Sequence, residues 1–273
     1  MKGLLRKIAW QAERIKWIIK NFRLINQHVF LVNRISSHKA EKPSYNSDGL
    51  VLFNSSACLD EPGFKNAYKK SLEVNDWRGK EGEFFDMRWR YYIVCYFANK
   101  VKHLEGDFAE CGVYKGGYAM AIMEYLDFSS LNKKMWLFDT YNGLALDHLS
   151  EQEKESGLFT KYSNYEECYE WVCKIFQNYP VEIIKGTVPE TLPQCNAEKI
   201  CYLSIDMNCT SPEIAAAHFF WDKVVPGGII MLDDYGFIGH EEQHDAFNEF
   251  AKEKKVQVLQ LPTGQGVIFK PHN

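Results

Sequence analysis

Two neighbouring segments decide the fold: KICYLSIDMN (199–208) and PEIAAAHFFWDKVVPGGIIMLDDYG (212–236). Each contains an apolar, strand-like run that ends in acid, at Asp206 in the first and at Asp233-Asp234 in the second. A segment of helical length lies between them. In an open parallel sheet, ligands gather outside the carboxyl ends of neighbouring strands. The spacing therefore predicts an α/β sheet with three carboxylates at one edge.

These three carboxylates predict a metal site. Carboxylates that converge in a cleft repel one another unless a cation or protons neutralise them. Oxygen ligands favour hard cations over zinc, and the expected metal is Mg²⁺ or Mn²⁺, held by Asp206, Asp233 and Asp234. The alternative for Asp233 or Asp234 is a plain helix N-cap.

A glycine-rich turn upstream, in DFAECGVYKGGYA (107–119), follows one strand-like run and opens a helix. Glycines at such a turn let the backbone come close to a ligand. Asp139 ends the next strand, where an acid can accept hydrogen bonds from both ribose hydroxyls of a nucleotide-like cofactor. A tight turn without a ligand, and an N-cap role for Asp139, are the alternatives.

From about residue 105, strand-like and helix-like segments alternate, which is typical of a parallel sheet covered on both faces. Residues 36–62 are rich in turn-forming residues and predict linker and loops. Two helices are then predicted in PGFKNAYKKSLEVN and FFDMRWRYYIVCYFANKVKHL, followed by seven strands and, at 142–180, a polar and aromatic insert that could form a lid. A Thr-Gly-Gln-Gly turn (263–266) separates the last two strands, so the sheet should end in an antiparallel pair. The strands lie in GDFAECGV, KMWLFDTY, VEIIKGTV, KICYLSID, GGIIMLDDY, VQVLQLPT and GQGVIFKP.

The composition and the charge distribution bear on binding partners and on cellular location. The net charge of -4 gives no reason to expect nucleic acid. We find no bilayer-spanning run and no signal peptide, and the eight cysteines form no CxxC pair, so a cytoplasmic protein with free thiols is expected. Residues 1–35 carry eight Lys/Arg against one acid, interleaved with Trp and Ile. This basic helix could lie on an anionic membrane, or pack on the protein itself or on a second subunit of a homo-oligomer.

Five motifs occur in the order found in the macrocin-type (TylF-like) sugar O-methyltransferases, which the chain resembles over roughly 105–270: EGDFAECGVYKGGYA, LFDTYNGL, IIKGTVPETLP, LSIDMN and PGGIIMLDDYG. The resemblance implies a class I methyltransferase (Rossmann-like) domain at 105–273, a helical extension and linker at 1–104, and metal-assisted methyl transfer from S-adenosylmethionine to a sugar hydroxyl. It implies donor contacts along the glycine turn, with Glu110 near the ammonium, and near the ribose and adenine. The implied donor-binding residues are Glu110, Gly112, Tyr114, Gly116, Gly117, Asp139, Thr140, Gly186 and Thr187.

The chain departs from the family after the first metal aspartate. The usual pattern there is Asp-Gly-Asp, whose second Asp is a proposed general base, but this chain has Asp206-Met207-Asn208. Asn208 cannot take a proton, although it could bind the metal or orient the acceptor. His240, just after the DDY strand end, is the leading substitute base. Activation by the metal without a protein base is the other possibility.

Three other functions stay open at this stage. His240–His244 match the HExxH helix of zinc peptidases, although a helix after a parallel strand is the wrong context. A nucleotide-sugar dehydrogenase of the NAD-binding Rossmann class and a catalytically silent donor-binding protein are the others. Four aromatic residues of the insert could form a sugar platform or pack inside a lid: Tyr162, Tyr165, Tyr169 and Trp171.

Overall fold

A computed structural model describes residues 43–75, 86–155 and 165–272. Its contacts divide the chain into two units, a small one of Met1–Tyr45 and Val51–Ser55 and a large one of Asn46–Leu50 and Ser56–Asn273. In the described part of the small unit, the Ser44 hydroxyl donates to the carbonyls of Leu52 and Asn54 at 3.1 and 2.5 Å. The basic segment 1–35 lies outside the described residues, so its predicted helix remains a prediction.

From residue 62 onward, the two helices and seven strands expected from the sequence are all present and in the expected order. The described regular elements are β1 (Tyr45–Ser47), β2 (Leu50–Leu52), α1 (Pro62–Val74), α2 (Arg88–Val101), β3 (Asp107–Cys111), α3 (Gly117–Leu126), β4 (Met135–Asp139), α4 (Glu151–Glu155), α5 (Tyr169–Phe176), β5 (Val181–Lys185), β6 (Ile200–Ile205), α6 (Thr210–Trp221), β7 (Val224–Leu232), α7 (Glu241–Lys254), β8 (Val258–Gln260) and β9 (Gly266–Phe269). Short 3₁₀ turns occupy Ala57–Asp60, Phe128–Ser130, Leu146–His148 and Leu192–Gln194.

The main sheet confirms the predicted class I methyltransferase topology. Its seven strands lie in the order β5-β4-β3-β6-β7-β9-β8. β3 pairs in parallel with β4 and β6, and β9 runs antiparallel to both β7 and β8. The strand order reverses between β3, β4 and β6, and this is where parallel α/β sheets bind their ligands.

Burial explains why the central strands read as continuous apolar runs. All six residues of β6 are buried, as are four of the five residues of β3 and of β4. A strand covered by helices on both faces cannot alternate polar and apolar residues. The eight cysteines are free, as expected, and six of them are buried.

The two helices before the sheet agree with the prediction in position and differ in one boundary. α1 begins after Glu61, whose carboxylate accepts the amides of Gly63 and Phe64 at 3.0 and 2.7 Å. α2 begins at Arg88, later than the apolar pattern predicted, and Asp86 accepts the Arg88 amide at 3.1 Å. An acidic side chain there satisfies an N–H group that has no partner within the helix. The predicted domain boundary at 104/105 remains a prediction.

The segment 36–62 was expected to be linker and loops. Its described part instead includes β1 and β2, which form a two-stranded sheet, and the first 3₁₀ turn. The abundance of turn-forming residues masked three-residue strands. Within the described residues, no helix is long and apolar enough to cross a membrane.

Candidate active site

The glycine turn between β3 and α3 is fixed by close packing. Gly112 has φ +89°, and a Cβ there would lie 1.7 Å from the carbonyl oxygen of Asp206. β3 and β6 are joined at this level, because the Asp206 amide donates to Cys111 at 2.8 Å. Gly116 has φ +90°, and its Cβ would lie 2.4 Å from the ring of Phe176. Neither position has room for a larger residue, so glycine is needed to bring the turn against the end of β6 at Gly112 and against the Phe176 ring at Gly116.

A cavity of about 910 Å³ opens at this end of the sheet. It is lined by residues from the glycine turn, from the ends of β4, β5, β6 and β7, and from the insert. The expected donor-binding residues that line it are Glu110, Gly112, Tyr114, Gly117, Asp139, Thr140, Gly186 and Thr187. Gly116 packs against Phe176 instead. The sequence therefore identified most of one wall of the cavity.

Asp139 binds the glycine turn directly. Its Oδ2 accepts the amides of Val113 and Tyr114 at 2.6 and 2.7 Å, and its Oδ1 accepts the amide of Tyr141 at 2.6 Å. In dinucleotide-binding folds the N–H groups of this turn and helix face a pyrophosphate. Here a protein carboxylate takes two of those N–H groups and would repel a phosphate. This geometry disfavours the NAD-type oxidoreductase.

Glu110 is a buried carboxylate on the cavity wall, and it is 1% exposed. Its Oε2 has no hydrogen-bond partner among the described residues. Burial, followed by the charges of Asp139 and Asp233, raises the pKa of the Glu110 carboxyl well above its ordinary value. A buried carboxyl oxygen without a hydrogen-bond partner is costly, and a cationic ligand would relieve that cost.

The three predicted metal ligands do meet at one edge of this cavity. Asp206, Asp233 and Asp234 all line it, and the amide of Asp233 donates to Ile205 at 3.1 Å beside Asp206. Burial, followed by the charges of Asp233 and Asp234, raises the pKa of Asp206 well above its ordinary value. The convergence expected from the parallel strands is therefore present.

An arginine that the sequence analysis missed, with its side chain 11% exposed, occupies this acidic cluster. Arg90 donates through Nε and Nη2 to Asp48, at 2.7 and 2.9 Å. Its Nη1 donates to Asp233 Oδ2 and lies 3.9 Å from Asp234 Oδ1. Arg90 stands four residues before Val94, which is buried on α2. A cation on the buried face of a helix was the sequence signal that could have revealed it.

Asp233 is also held by neutral donors. Its Oδ1 accepts the Tyr118 hydroxyl at 2.8 Å and the Gln265 amide at 2.9 Å. With Arg90 on Oδ2, three donors point at one carboxylate. Across the described ranges, no group of three His, Cys, Asp or Glu side chains is arranged to hold a metal ion. The predicted three-aspartate metal site does not fit this arrangement.

The described part of the insert forms another wall of the cavity, through residues that include Leu144, Ala145 and His148. Glu153, which is buried, joins this part to the start of α6. Its Oε1 accepts the amide and the hydroxyl of Thr210 at 2.7 and 2.6 Å, and its Oε2 accepts the Ser150 amide at 2.9 Å. These contacts hold the described part of the insert against the start of α6.

Residues 90–264 match the model of a protein family described as macrocin-O-methyltransferase (TylF). This match covers well over half of the chain. The chain belongs to the macrocin-O-methyltransferase (TylF) family. It is therefore an S-adenosylmethionine-dependent O-methyltransferase, and the family match supports a sugar as acceptor.

Solved structures share the fold of this TylF-family chain at low sequence identity. The O-methyltransferase NovP is 19% identical with a TM-score of 0.59, and the match covers 67% of this chain and 80% of NovP. CalS11, a calicheamicin methyltransferase, is 14% identical with a TM-score of 0.54, covering 85% of this chain and 99% of CalS11. No curated protein matches the sequence.

The candidate catalytic residues Asn208 and His240 of this TylF-family member lie in different places: Asn208 lines the cavity and His240 does not. Asn208 has φ +55°, and its Nδ2 donates to Asp206 Oδ1 at 3.2 Å, so it can orient that carboxylate. His240 is 2% exposed and lies behind Asp234, with its Nδ1 3.8 Å from Asp234 Oδ2 and in contact with Gln243. His240 thus contacts a residue of the cavity wall instead of forming the wall.

The HExxH match has an ordinary structural explanation in this TylF-family protein. His240 precedes α7 and is buried against Asp234, whereas the His244 side chain is 39% exposed and packs on Tyr235, with ring centroids 4.7 Å apart. Glu241 accepts the Gly239 amide at 3.0 Å. With no three-residue metal group in the described part of the chain, this geometry gives no support to a zinc hydrolase.

The aromatic residues of the insert divide into two groups. Tyr165 lines the cavity and stacks on Tyr114, with ring centroids 4.5 Å apart and an interplanar angle of 26°. Tyr169 packs on Tyr141 instead, and the Trp171 indole donates to the backbone of α1 at 3.0 Å. The fourth candidate, at position 162, lies outside the described residues. Stacked aromatic faces at a cavity mouth are suited to hold a flat or ring-shaped ligand.

Proposed function

We propose that this TylF-family enzyme binds S-adenosylmethionine in the described cavity and methylates a sugar hydroxyl placed between the donor and the carboxylates of β6 and β7. One observation carries the proposal: Oε2 of the buried Glu110, which has no hydrogen-bond partner among the described residues, lies in a cavity whose glycine turn is already held by Asp139. Such a site suits a ligand that carries a cation and a ribose but no phosphate.

The donor would lie along the ends of β3, β4 and β5. Its ammonium would pair with Glu110 and donate a hydrogen bond to Oε2, which has no other partner among the described residues. Its ribose would lie beside Asp139, whose side chain fixes the turn, and Thr140. Its adenine would lie near Gly186 and Thr187. Because the donor also has a positive sulfonium, the carboxylates on this wall would attract its reacting end.

Methyl transfer requires a near-attack geometry and a place for one proton. The acceptor oxygen would form a bond to the methyl carbon as the carbon–sulfur bond breaks, and S-adenosylhomocysteine would leave. We assign the hydroxyl proton to the carboxylate of Asp206, which lines the cavity and is oriented by Asn208. His240 would act indirectly by holding Asp234, because it lies behind that residue.

The predicted Mg²⁺ or Mn²⁺ has no step in this mechanism. The acidic cluster is poorly suited to bind a divalent cation, because Arg90, Tyr118 and Gln265 already donate hydrogen bonds to Asp233. The acceptor sugar would rest against the stacked rings of Tyr165 and Tyr114, which line the same cavity. Sugars attached to a glycan, a glycolipid precursor or a natural product all fit this chemistry.

Cytoplasmic location, homo-oligomerisation and peripheral membrane contact through residues 1–35 remain predictions. The membrane prediction has a direct check: a chain lacking residues 1–35 should lose association with anionic liposomes, and unchanged association would contradict it.

Calorimetric titration tests the donor site. We expect micromolar binding of S-adenosylhomocysteine to the wild type and a loss of about tenfold or more in Glu110→Gln, because the ammonium loses its partner. 5′-Methylthioadenosine lacks the amino acid group, so its affinity should be nearly equal in the two proteins.

A matched control keeps the test specific. Glu124 is partly exposed on α3, and Glu124→Gln should leave both affinities unchanged. Absence of S-adenosylhomocysteine binding to the wild type would overturn the proposed cavity. Equal losses for both ligands in Glu110→Gln would show that Glu110 supports the fold of the turn instead of pairing with the ammonium.

A further inference from the structure

A protein cation already lies where the acidic cluster would hold a metal ion. Nη1 of Arg90 contacts Asp233 and lies 3.9 Å from Asp234, so one nitrogen stands between the two carboxylates of the Asp-Asp pair. The guanidinium lies 4.3 Å from the ring centroid of Phe237, which covers one of its faces. The Arg90 side chain is only 11% exposed. A buried cation in this position screens the mutual repulsion of the carboxylates.

Asp48 anchors the guanidinium from the other side. Its two carboxylate oxygens accept Nε and Nη2 in a bidentate arrangement, which fixes the plane of the fork as well as its position. The Asp48 side chain is 11% exposed. If Arg90 moved away to free Asp233, Asp48 would remain as a buried carboxylate without this partner, which is strongly unfavourable.

Both carboxylate oxygens of Asp233 already accept hydrogen bonds from protein donors, which also disfavours a metal ion. Arg90 binds Oδ2, while Tyr118 and Gln265 both donate to Oδ1. Tyr118 and Gln265 are buried and the Arg90 side chain is 11% exposed, and the three donors come from α2, α3 and the turn before β9, which are remote from one another in the chain. A divalent cation would have to displace a positively charged donor from this carboxylate before it could bind all three aspartates.

We infer that Arg90 takes the place of the divalent cation in this acidic cluster, so that the folded protein binds no Mg²⁺ or Mn²⁺ at Asp206, Asp233 and Asp234. The inference rests on the proposed function only in treating the cavity as the site of the donor and the acceptor. The ion pairs Asp48–Arg90–Asp233 stand independently of any donor or acceptor.

Titration of the wild-type protein with Mn²⁺ tests the inference directly. Free Mn²⁺ can be followed by electron paramagnetic resonance, with and without S-adenosylhomocysteine. We expect no saturable stoichiometric site. A single Mn²⁺ site in the wild type that disappears in Asp234→Asn would overturn the inference.

Removing the guanidinium should create the missing metal site. Arg90→Ala leaves Asp48, Asp233 and Asp234 without their cation, and we expect it to bind Mn²⁺ at least about tenfold more tightly than the wild type. Mn²⁺ should also raise its melting temperature. Asp234→Asn added to Arg90→Ala should abolish the gain. If folded Arg90→Ala binds Mn²⁺ no more tightly than the wild type, the inference that the guanidinium takes the place of the metal ion is wrong.

Arg88→Ala is the matched control. Arg88 lies in the same first turn of α2 and pairs with Asp86 at 2.6 Å, and its side chain is 36% exposed. Its removal should change neither Mn²⁺ binding nor the response of the melting temperature. If Arg90→Ala fails to fold, the wild-type titration alone decides the inference. Failure of S-adenosylhomocysteine to bind would overturn the proposed function while leaving the metal result intact.

Discussion

Glu213 should make this protein less stable as the pH rises. It lies in the first turn of α6, is 3% exposed, and its Oε1 accepts the Met207 amide at 2.9 Å. Burial, followed by the charge of Asp234, raises the pKa of Glu213 from 4.5 to about 8. The carboxyl thus holds the turn after Asp206 in place while it prefers the protonated form.

The sign and size of the effect follow from proton linkage. Between pH 4.5 and about 8 the folded chain keeps a proton on Glu213 that the unfolded chain releases. The stabilisation is therefore fully present below pH 4.5 and is lost as the pH rises through the folded pKa. At about 1.4 kcal/mol per pH unit, the free energy of unfolding should fall by about 5 kcal/mol over this window.

Glu213→Gln should remove this contribution. The glutamine keeps an oxygen for the Met207 amide but never ionises, so the variant should be more stable than the wild type near pH 8 and similar to it near pH 4.5. Urea unfolding across this range measures the difference, and other buried acids cancel because both proteins contain them. Glu198→Gln, at an exposed position, is the control. Parallel pH profiles for Glu213→Gln and the wild type would refute the reasoning.

Three further predictions concern the cavity. Gly112→Ala should cost about 3 kcal/mol or more in urea unfolding, because its Cβ would overlap the Asp206 carbonyl, whereas Gly239→Ala has a similar positive φ and open space and should cost less. Asp206→Asn should lower the rate of methyl transfer about 10²-fold or more and keep S-adenosylhomocysteine affinity, while a parallel loss of affinity would argue against a catalytic role. Tyr165→Ala should raise the acceptor KM about tenfold with kcat little changed, and an unchanged KM would remove Tyr165 from the acceptor site.

Much of the fold could be predicted from the sequence because local patterns carry it. Buried parallel strands read as apolar runs, and the turn at 263–266 required an antiparallel end to the sheet. The elements missed were β1 and β2, which are too short to give a period, and the helices α4 and α5 of the insert; the start of α2 was placed too early. Boundaries depend on single side-chain contacts, such as the Asp86 carboxylate that accepts the Arg88 amide, and no periodicity reveals them.

The sequence could predict only those parts of the candidate site whose positions follow from the order of the strands along the chain. Residues at the carboxyl ends of neighbouring parallel strands must converge, so Asp139, Asp206 and the Asp233-Asp234 pair were found from spacing, whereas Glu110 was expected only from the family resemblance. Which partners these carboxylates take is a different question. That depends on side chains from other layers of the fold.

Sequence by itself therefore determined the family, the topology and the converging acids. Only the tertiary structure decided their electrostatics. It places Arg90 against Asp233, 143 residues away, and against Asp48, 42 residues away, and it turns Asp139 onto the amides of the glycine turn. Strand and helix periods record which face of an element is buried, but the pairing of a buried charge is set by packing between elements that are remote in the chain.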